Sequence, residues 1–421
     1  MATNKLIDVI LFGIEIGKVG YDIDQRKCYF QYNPEFLESG RYQKIFPYLI
    51  KRVKPLQVFS QFEGETFRGL PPMIADSLPD MFGNIIFKEW FEANNKGFEK
   101  ITPLEQLAYV ANRGMGALEY KPVIDIPENS KINLTEIIEV LKEVLDVKRN
   151  TAEKNLSIPA LLNIFKIGSS AGGARPKILI SEHKETKEII PGDIVYSAEY
   201  NHRLIKLCLD DESYNREKIE YAYYLLTQKA GITMMHSKLI ENTHFATLRY
   251  DRQDGEKQHV LTACGLTGWD FMKPENATYE NLFKLALDLK VPHKDLHELY
   301  RRMIFNVVFA NHDDHLKNHS FIYNKTNDSW NLAPAYDITY PFNLNLNILT
   351  KSRALAINNK RTDINLKDVL LIADNYSIKN PLKIIREVQS ATTEWEEITK
   401  KLELPQFVIN VIAKEWQVFE V

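Results

Sequence analysis

The spacing of apolar residues changes along this 421-residue chain, and the change limits the folds that it can adopt. Near the N-terminus, short apolar runs broken by turn residues predict strands at 6–12, 15–19 and 27–32, and residues 73–93 predict a helical stretch bent or restarted at Pro79. Beyond about residue 270 the apolar residues recur at helical spacing, most clearly at 282–289, 296–310, 366–373 and 385–402, interrupted by one short hairpin at 321–332. We therefore expect a mixed α/β part followed by a mainly helical part.

The segment between these two parts predicts a small sheet and one helix. Strands are predicted at 162–167, 177–180 and 204–209, and a helix at 216–229 that Gly231 closes. This order predicts an α+β protein with a two-lobed protein-kinase-like fold, an extra N-terminal α/β subdomain and an all-helical C-terminal lobe. The expected domains are the N-terminal subdomain, an N-lobe with a phosphate loop and a mainly helical C-lobe, at 1–125, 130–255 and 256–421.

Composition argues against several classes of protein. Apolar residues make up 44% and charged residues 26%, and the net charge of −3 gives no reason to expect a globally basic nucleic-acid binder. Cys28, Cys208 and Cys264 are far apart, which argues against a disulfide framework or a cysteine metal site. No run approaches the roughly 20 apolar residues of a membrane span, and the first apolar run reads as a strand, not a signal peptide. We expect a cytoplasmic protein without a membrane partner.

Two features of the middle segment favour binding of the phosphates of a nucleotide. The small-residue loop GSSAGGARPK at 168–177 would let backbone N–H groups approach phosphate oxygens, although such loops are also common as surface turns. Lys206 lies within the apolar strand at 204–209, where a buried ammonium needs a partner, and Glu220 on the next helix is the predicted one. The alternative is a lysine on the solvated face of an edge strand.

Three residues of the C-terminal part have the order of a phosphotransferase centre. Asp313 and Asn318 follow the D-x-x-x-x-N pattern of a kinase catalytic loop, in which the carboxylate contacts the acceptor hydroxyl and the amide oxygen ligates Mg²⁺. Asp337 follows 19 residues later (337 − 318), beyond the predicted hairpin, and is predicted to hold Mg²⁺ as well. Each residue alone also fits a helix end or a turn, but their joint occurrence favours a kinase.

A competing interpretation uses the histidines of the same segment. His312, His315 and His319 lie near two aspartates and together could chelate Zn²⁺ or another transition metal. That interpretation leaves Lys206, the glycine loop and Asp337 without a role.

At these residues the chain resembles the HipA family, which comprises bacterial Ser/Thr kinase toxins of type II toxin–antitoxin pairs. The resemblance extends over nearly the whole chain, and its most specific matches are residues 170–177, 313–318 and 335–338. Residues 78–80 and 113–117 resemble landmarks of the family's N-terminal subdomain, and residues 249–252 resemble its segment joining the lobes.

The resemblance implies ATP and Mg²⁺ as cofactors and a role for each matching residue. Asp313 would be the catalytic acid–base residue, with Asn318 and Asp337 holding the metal and Glu220 supporting Lys206. The residues implied in nucleotide binding are Gly172, Gly173, Ala174, Arg175, Lys177, Lys206, Leu248, Arg249, Tyr250, His315, Asn318, Tyr336 and Asp337.

The serine-containing loop carries a further implication. Ser170 matches the serine that HipA kinases autophosphorylate, and Ser169 is an alternative acceptor. A phosphate there would add about −1.5 to −2 charges and repel the phosphates of ATP. Two departures from the family bear on the site: Asp314 stands where glycine is frequent, and Leu248 stands where some relatives carry Glu, so adenine contacts at Leu248 would come from the backbone.

The resemblance also implies partners: a HipB-like helix-turn-helix antitoxin, DNA contacted through that antitoxin, and a protein substrate. For some relatives the substrate is an aminoacyl-tRNA synthetase, glutamyl-tRNA synthetase. Two other functions stay open, a small-molecule phosphotransferase and a non-catalytic co-repressor acting with a DNA-binding antitoxin. A small basic cluster of Lys351, Arg353, Lys360 and Arg361 is interpreted as solvated surface.

Overall fold

The structure is a computed structural model that describes residues 6–79, 81–93, 97, 101–123, 137–139, 141–142, 175–192, 197–209, 214–341 and 352–421. The chain forms two compact units, one of residues 1–209 with 246–260 and the other of residues 210–245 with 261–421. The predicted strand at 162–167 and the loop at 168–174 lie outside the described residues. The three-domain division expected from the sequence stays a prediction.

The first unit begins with a five-stranded sheet. Its strands are β1 (Ile7–Leu11), β2 (Ile14–Asp22), β3 (Lys27–Tyr32), β4 (Gln57–Phe59) and β5 (Leu118–Lys121), in the order β4-β3-β2-β1-β5. Alternation in β3 buries Cys28, Phe30 and Tyr32. Gly17 in β2 is required by close strand approach, because a Cβ there would lie 2.5 Å from the carbonyl oxygen of Gln31.

Short helices accompany this sheet. They are α1 (Pro34–Glu38), α2 (Pro72–Ala75), α3 (Met81–Ala93) and α4 (Pro103–Val110), and α4 packs against β1, β2 and β5. A capping box begins α4, in which Thr102 and Glu105 satisfy each other's backbone N–H groups. The helical stretch predicted at 73–93 is interrupted around Pro79, as expected from the missing proline N–H.

A second sheet in the first unit carries the predicted phosphate-binding lysines. Its strands β6 (Lys177–His183), β7 (Ile189–Pro191) and β8 (Tyr200–Lys206) are ordered β7-β6-β8. In the antiparallel β6–β8 pair, Leu179 is opposite Leu204 and Lys177 is opposite Lys206. Strand β9 (Ser237–Ile240) belongs to the second unit and leads through a turn at 241–243 into β10 (His244–Leu248). Residues 246–248 of β10 belong to the first unit.

Buried polar contacts hold residues 249–259 against the N-terminal part of the first unit. They include a small hairpin of β11 (Arg252–Gln253) and β12 (Glu256–Lys257). The carboxylate of Asp251 accepts hydrogen bonds from Arg249 Nη2 at 2.9 Å, Arg252 Nη1 at 2.7 Å and the Gly116 N–H at 2.8 Å. Burial alone would raise the pKa of Asp251, but the two guanidinium groups outweigh it and hold that pKa well below its usual range. Removing one member of such a buried ion cluster costs about 3–5 kcal/mol.

The second unit is built mainly from helices. They are α5 (Arg216–Lys229), α6 (Ala263–Thr267), α7 (Tyr279–Asp288), α8 (His293–Val308), α9 (Leu366–Asn375), α10 (Pro381–Ser390), α11 (Trp395–Lys401) and α12 (Gln406–Lys414). An aromatic core lies between α5, α8 and α11, where the ring of Tyr223 contacts Phe305, Phe309 and Trp395 with centroids 6.0–6.3 Å apart.

Two expectations for this unit are wrong. It is not all-helical, because β13 (Val260–Thr262), β14 (Ser320–Asn324) and β15 (Ser329–Leu332) form a three-stranded sheet. The helix predicted over 385–402 is divided by a 3₁₀ turn at Ala391–Glu394. There the hydroxyls of Thr392 and Thr393 bond to the carbonyls of Gln389 and Ser390, and such side-chain bonds compete with helix continuation. In the part of the chain that the structure describes, no helix is long and apolar enough to cross a membrane.

Candidate active site

The candidate catalytic loop follows helix α8, in which every residue from Arg302 to Val308 is buried. Helix α8 ends at Val308, and Ala310 adopts a left-handed backbone (φ +53°) that turns the chain away from the helix axis. The chain then runs through 311–315 into a 3₁₀ turn at Leu316–Asn318 and on into β14. Leu316 is fully buried and anchors the turn. The loop is therefore held at both ends by regular structure.

Asn318 closes this loop onto Asp313. The Nδ2 of Asn318 donates a 2.8 Å hydrogen bond to the backbone carbonyl of Asp313, and the Asn318 N–H donates to the His315 carbonyl at 2.8 Å. The amide nitrogen is thereby used, so the amide oxygen is the atom of Asn318 that can ligate a metal. The spacing of five residues noted in the sequence thus corresponds to a closed turn that begins at Asp313 and ends at Asn318.

The two adjacent aspartates differ in environment. Asp313 is exposed, whereas Asp314 is 1% exposed and accepts hydrogen bonds through both carboxylate oxygens. Internal donors engage both oxygens of Asp314, whereas the exposed Asp313 stays the predicted catalytic carboxylate. Asp314 lies outside the left-handed backbone region, so it fits a position where glycine is frequent without backbone strain.

Asp337 reaches the same region by way of the β14–β15 hairpin. After β15, the Ala335 N–H donates to the Thr233 carbonyl at 2.8 Å, which fixes the approach of the chain. Asp337 then takes a left-handed backbone (φ +56°), uncommon for a residue other than glycine. Asn318 and Asp337 line one cavity, so the structure brings the two predicted metal ligands together. Their amide and carboxylate oxygens are the ligand types that Mg²⁺ prefers.

The Tyr336 side chain bonds the segment that follows the hairpin to the catalytic loop. Its hydroxyl donates to the Lys317 carbonyl at 2.6 Å and accepts from Ser320 Oγ at 2.5 Å. The ring is half-buried and lines the cavity. Its predicted role of covering the nucleotide stays a prediction.

The histidines of the loop have separate environments. His319 lines the cavity, and burial lowers its pKa to about 4 although the Asp314 carboxylate partly opposes this, so its ring is neutral at pH 7. The ring of His315 packs against Phe271 with centroids 5.0 Å apart and is not among the residues lining the cavity. Among the residues that the structure describes, no group of three or more His, Cys, Asp or Glu side chains is arranged to hold a metal ion. The zinc interpretation therefore has no support in this geometry.

Sequence reasoning missed three other polar residues that line the same cavity as the predicted metal ligands. Arg302, Asn306 and Asn311 also line the cavity, and all three are buried. The available signal was the run Met303–Val308, in which Asn306 interrupts an otherwise apolar helix end. A buried amide in such a run needs hydrogen-bonding partners, and these are Tyr279 on α7 and Asn311 in the loop.

The first unit places two predicted phosphate ligands on one face of a sheet. Lys177 and Lys206 are directly opposite on β6 and β8, and both are buried. Arg175 precedes β6 and is half-buried. Glu220 is buried on α5 of the second unit. Gly172, Gly173, Ala174, Ser169 and Ser170 lie outside the described residues.

Part of the segment predicted to contact adenine, residues 248–250, makes other contacts. Leu248 is half-buried at the end of β10 and Tyr250 is buried. The guanidinium of Arg249 bonds to Asp251, so its side chain serves the buried ion cluster. A nucleotide contact by Arg249 would then use its backbone.

One member of the basic cluster, Arg353, is not the solvated surface expected from the sequence, whereas 42% of the Lys360 side chain is exposed. Arg353 is buried and its Nη2 bonds to Asp314 and to the Asn311 carbonyl. Lys360 Nζ bonds to Asp368 at 2.8 Å, and Arg361 donates to the Pro274 carbonyl at 2.9 Å. Lys351 lies outside the described residues. The described members of this cluster bond to internal acceptors.

The fold and the cavity together define a mixed α/β protein with a polar cavity between a helix end and a hairpin. Family models match it twice, as "HipA N-terminal domain" over residues 7–121 and as "HipA-like C-terminal domain" over residues 169–396. The chain therefore belongs to the HipA family.

Individual relatives agree with this placement. The chain has the fold of HipA from Shewanella oneidensis MR-1, solved with HipB and its operator DNA, with a TM-score of 0.62 and 13% identity over 97% of this chain and 95% of that one. It is also 26% identical over 234 residues, covering 47% of this chain and 67% of the relative, to a Haemophilus influenzae protein named "Putative kinase".

Proposed function

We propose that the chain is an ATP- and Mg²⁺-dependent Ser/Thr protein kinase that acts as the toxin of a HipA/HipB-like toxin–antitoxin pair. The observation that carries the proposal is that Asn318 and Asp337 line one cavity beside the exposed Asp313. A catalytic carboxylate next to two oxygen ligands is the arrangement that phosphoryl transfer needs.

Each residue of the loop has a defined task in this proposal. Asp313 accepts the hydrogen bond of the acceptor hydroxyl and orients it toward the phosphorus atom. Asn318 and Asp337 hold Mg²⁺, which supplies neutralisation of the charge on the phosphate oxygens. Asp314 takes no part in proton transfer, because Tyr279, Arg353 and Leu355 already donate to its two oxygens.

The lysine pair of the first unit supports a polyanionic ligand. Side chains directly opposite on antiparallel strands share one face, and Lys177 and Lys206 are such a pair. We expect this face to meet the phosphates of ATP, as the resemblance to HipA kinases implies.

Transfer of radiolabel from γ-labelled ATP to acid-precipitable protein tests the proposal. The wild-type chain is expected to transfer label in the presence of Mg²⁺, and Asp313→Asn to lose about 100-fold or more, as for loss of an acid–base group. Asp288→Asn, an exposed change at the end of α7, serves as the matched control and should retain wild-type transfer. Equal transfer by Asp313→Asn and the wild type would sink the assignment, and label found in small molecules would favour a small-molecule phosphotransferase.

The antitoxin partner belongs to the same proposal and has its own test. The solved relative is a complex of HipA with HipB and operator DNA. We expect this chain to bind a HipB-like helix-turn-helix antitoxin and to reach DNA through it. Asp313→Asn should assemble with the antitoxin as the wild type does, as judged by size-exclusion chromatography. The aminoacyl-tRNA synthetase substrate and the cytoplasmic location stay predictions.

A further inference from the structure

Asp314 is the centre of a buried hydrogen-bond network. None of the roles proposed above for phosphoryl transfer requires this network. The Oδ2 of Asp314 accepts hydrogen bonds from Tyr279 Oη at 2.6 Å and Arg353 Nη2 at 3.3 Å, and its Oδ1 accepts from the Leu355 N–H at 3.4 Å. Tyr279 and Leu355 are fully buried, and Arg353 is nearly so. A buried carboxylate is tolerated here because an opposite charge and two further donors compensate for its lost hydration.

The network continues through the amides behind the metal ligands. Asn306 Nδ2 donates to Tyr279 Oη at 2.9 Å, and Asn311 Nδ2 donates to Asn306 Oδ1 at 3.0 Å. Arg353 Nη2 also donates to the Asn311 carbonyl at 3.2 Å, which completes a ring of contacts. Burial raises the pKa of the Tyr279 phenol well above 10, so it stays protonated and remains a donor.

The ring joins three separate pieces of chain to the catalytic loop. Tyr279 begins α7, Asn306 lies near the end of α8, and Arg353 belongs to the segment after Asp337. The Ala354 N–H adds a backbone bond of 2.8 Å to the His312 carbonyl. The loop is thus held from both sides immediately next to Asp313, and the inward anchoring of Asp314 leaves the Asp313 side chain exposed.

We propose that Tyr279, Asp314 and Arg353 form a positioning clamp that sets the orientation of Asp313 relative to the metal ligands. The inference rests on the proposed kinase function. Asp314 itself lines the cavity together with Asn318 and Asp337, so a shift of its carboxylate would move the geometry of the site. The clamp touches no reacting atom and acts through Asp313.

Tyr279→Phe is the sharpest probe, because it removes the 2.6 Å donor to Asp314 and keeps the ring that fills the core. A small misplacement of a catalytic group is costly, so kcat should fall by about 10- to 100-fold. The KM for ATP should stay within about twofold, since the phosphate and metal ligands are untouched. Asp314→Asn should have an effect in the same direction, and the double variant should be no worse than the more damaged single variant, because both act through one unit.

The matched control is Tyr300→Phe, which removes the hydroxyl of another fully buried tyrosine that bonds to the Val369 carbonyl at 3.1 Å. It should leave kcat unchanged although it costs stability. Hydrogen exchange of residues 311–318 provides a readout independent of turnover, and Tyr279→Phe should accelerate it selectively.

The outcomes separate the two proposals. Wild-type protein that turns over no ATP overturns the kinase function, and the clamp loses its catalytic purpose with it. If the wild type is active but Tyr279→Phe changes neither kcat nor the hydrogen exchange of residues 311–318, the clamp alone is overturned. Equal losses in Tyr279→Phe and Tyr300→Phe would also overturn it, because a general effect of lost stability would then account for both.

Discussion

Lys177 and Lys206 are cross-strand neighbours on β6 and β8, and both side chains are buried. Residues directly opposite on antiparallel strands point to the same side of the sheet, so the two lysines share one face. In the proposed function this face meets the phosphates of ATP.

Lys206→Met is therefore expected to weaken ATP binding by about tenfold or more, the loss of one charge-assisted contact. Lys177→Met should act in the same direction. Isothermal titration calorimetry with a non-hydrolysable ATP analogue and Mg²⁺ measures the effect. Lys184→Met, an exposed lysine just beyond β6, is the control and should bind as the wild type does. Unchanged affinity in both buried-lysine variants would contradict nucleotide binding at this face.

Part of the fold and of the site could be predicted because residues close together in the sequence determine it. Asn215 caps α5 by accepting from the Lys218 N–H, and this helix has the predicted bounds. The order of Asp313, Asn318 and Asp337 predicted their meeting, since a hairpin between them returns the chain to the loop. Asn318 and Asp337 do line one cavity, and Asn318 bonds to Asp313.

Other features depend on contacts between distant residues, which no local pattern encodes. Asp313 and Asp314 are identical in type and adjacent, so the sequence gives no reason for one to be exposed and the other buried. The difference comes from Tyr279 and Arg353, which lie 35 and 39 residues from Asp314. For the same reason Arg353 was interpreted as solvated surface, although Asp314 and the Asn311 carbonyl hold it inside.

Asp337→Asn should weaken the Mg²⁺ dependence of turnover, so that more Mg²⁺ is needed, without unfolding the protein. The left-handed backbone of Asp337 is tolerated by Asn better than by most other residues, so the fold is expected to survive. The loss of one anionic oxygen ligand should raise the Mg²⁺ concentration needed for half-maximal turnover, a shift measured by metal titration at saturating ATP.

Asp254→Asn is the control for this change, because Asp254 also has a positive φ but sits in the exposed turn between β11 and β12. It should keep the wild-type metal dependence. Identical Mg²⁺ titrations for Asp337→Asn and the wild type would remove Asp337 from the metal site.

His259 makes the first unit sensitive to acid. Burial lowers its pKa to about 4, although its hydrogen-bonding contact with the Ile45 carbonyl at 3.1 Å partly opposes the shift. The folded state therefore holds the neutral ring, while the unfolded chain binds a proton below about pH 6.5. The stability contributed by this neutral ring is present above pH 6.5 and is lost as the pH falls toward 4.

Between pH 7 and pH 5 the loss should be about 2 kcal/mol for His259 alone. His259→Gln, which cannot titrate, should lose less stability over this interval than the wild type, as measured by chemical denaturation at both pH values. His293→Gln, a change at an exposed histidine, should leave the pH dependence as it is. An identical pH dependence in His259→Gln and the wild type would show that His259 is not the group responsible.

Ser170 lies outside the described residues, and its prediction comes from the resemblance of the loop to that of HipA kinases. After incubation with Mg²⁺ and ATP, mass spectrometry should find a phosphate on Ser170 in the wild type and none in Asp313→Asn. The added charge of about −1.5 to −2 should then lower the affinity for ATP, because it stands where the nucleotide phosphates would bind. Ser170→Ala should remain active after this incubation, whereas Ser169→Ala should lose activity as the wild type does. Phosphate on Ser169 alone would reverse the roles of these two variants, and its absence from both serines would refute autophosphorylation of the loop.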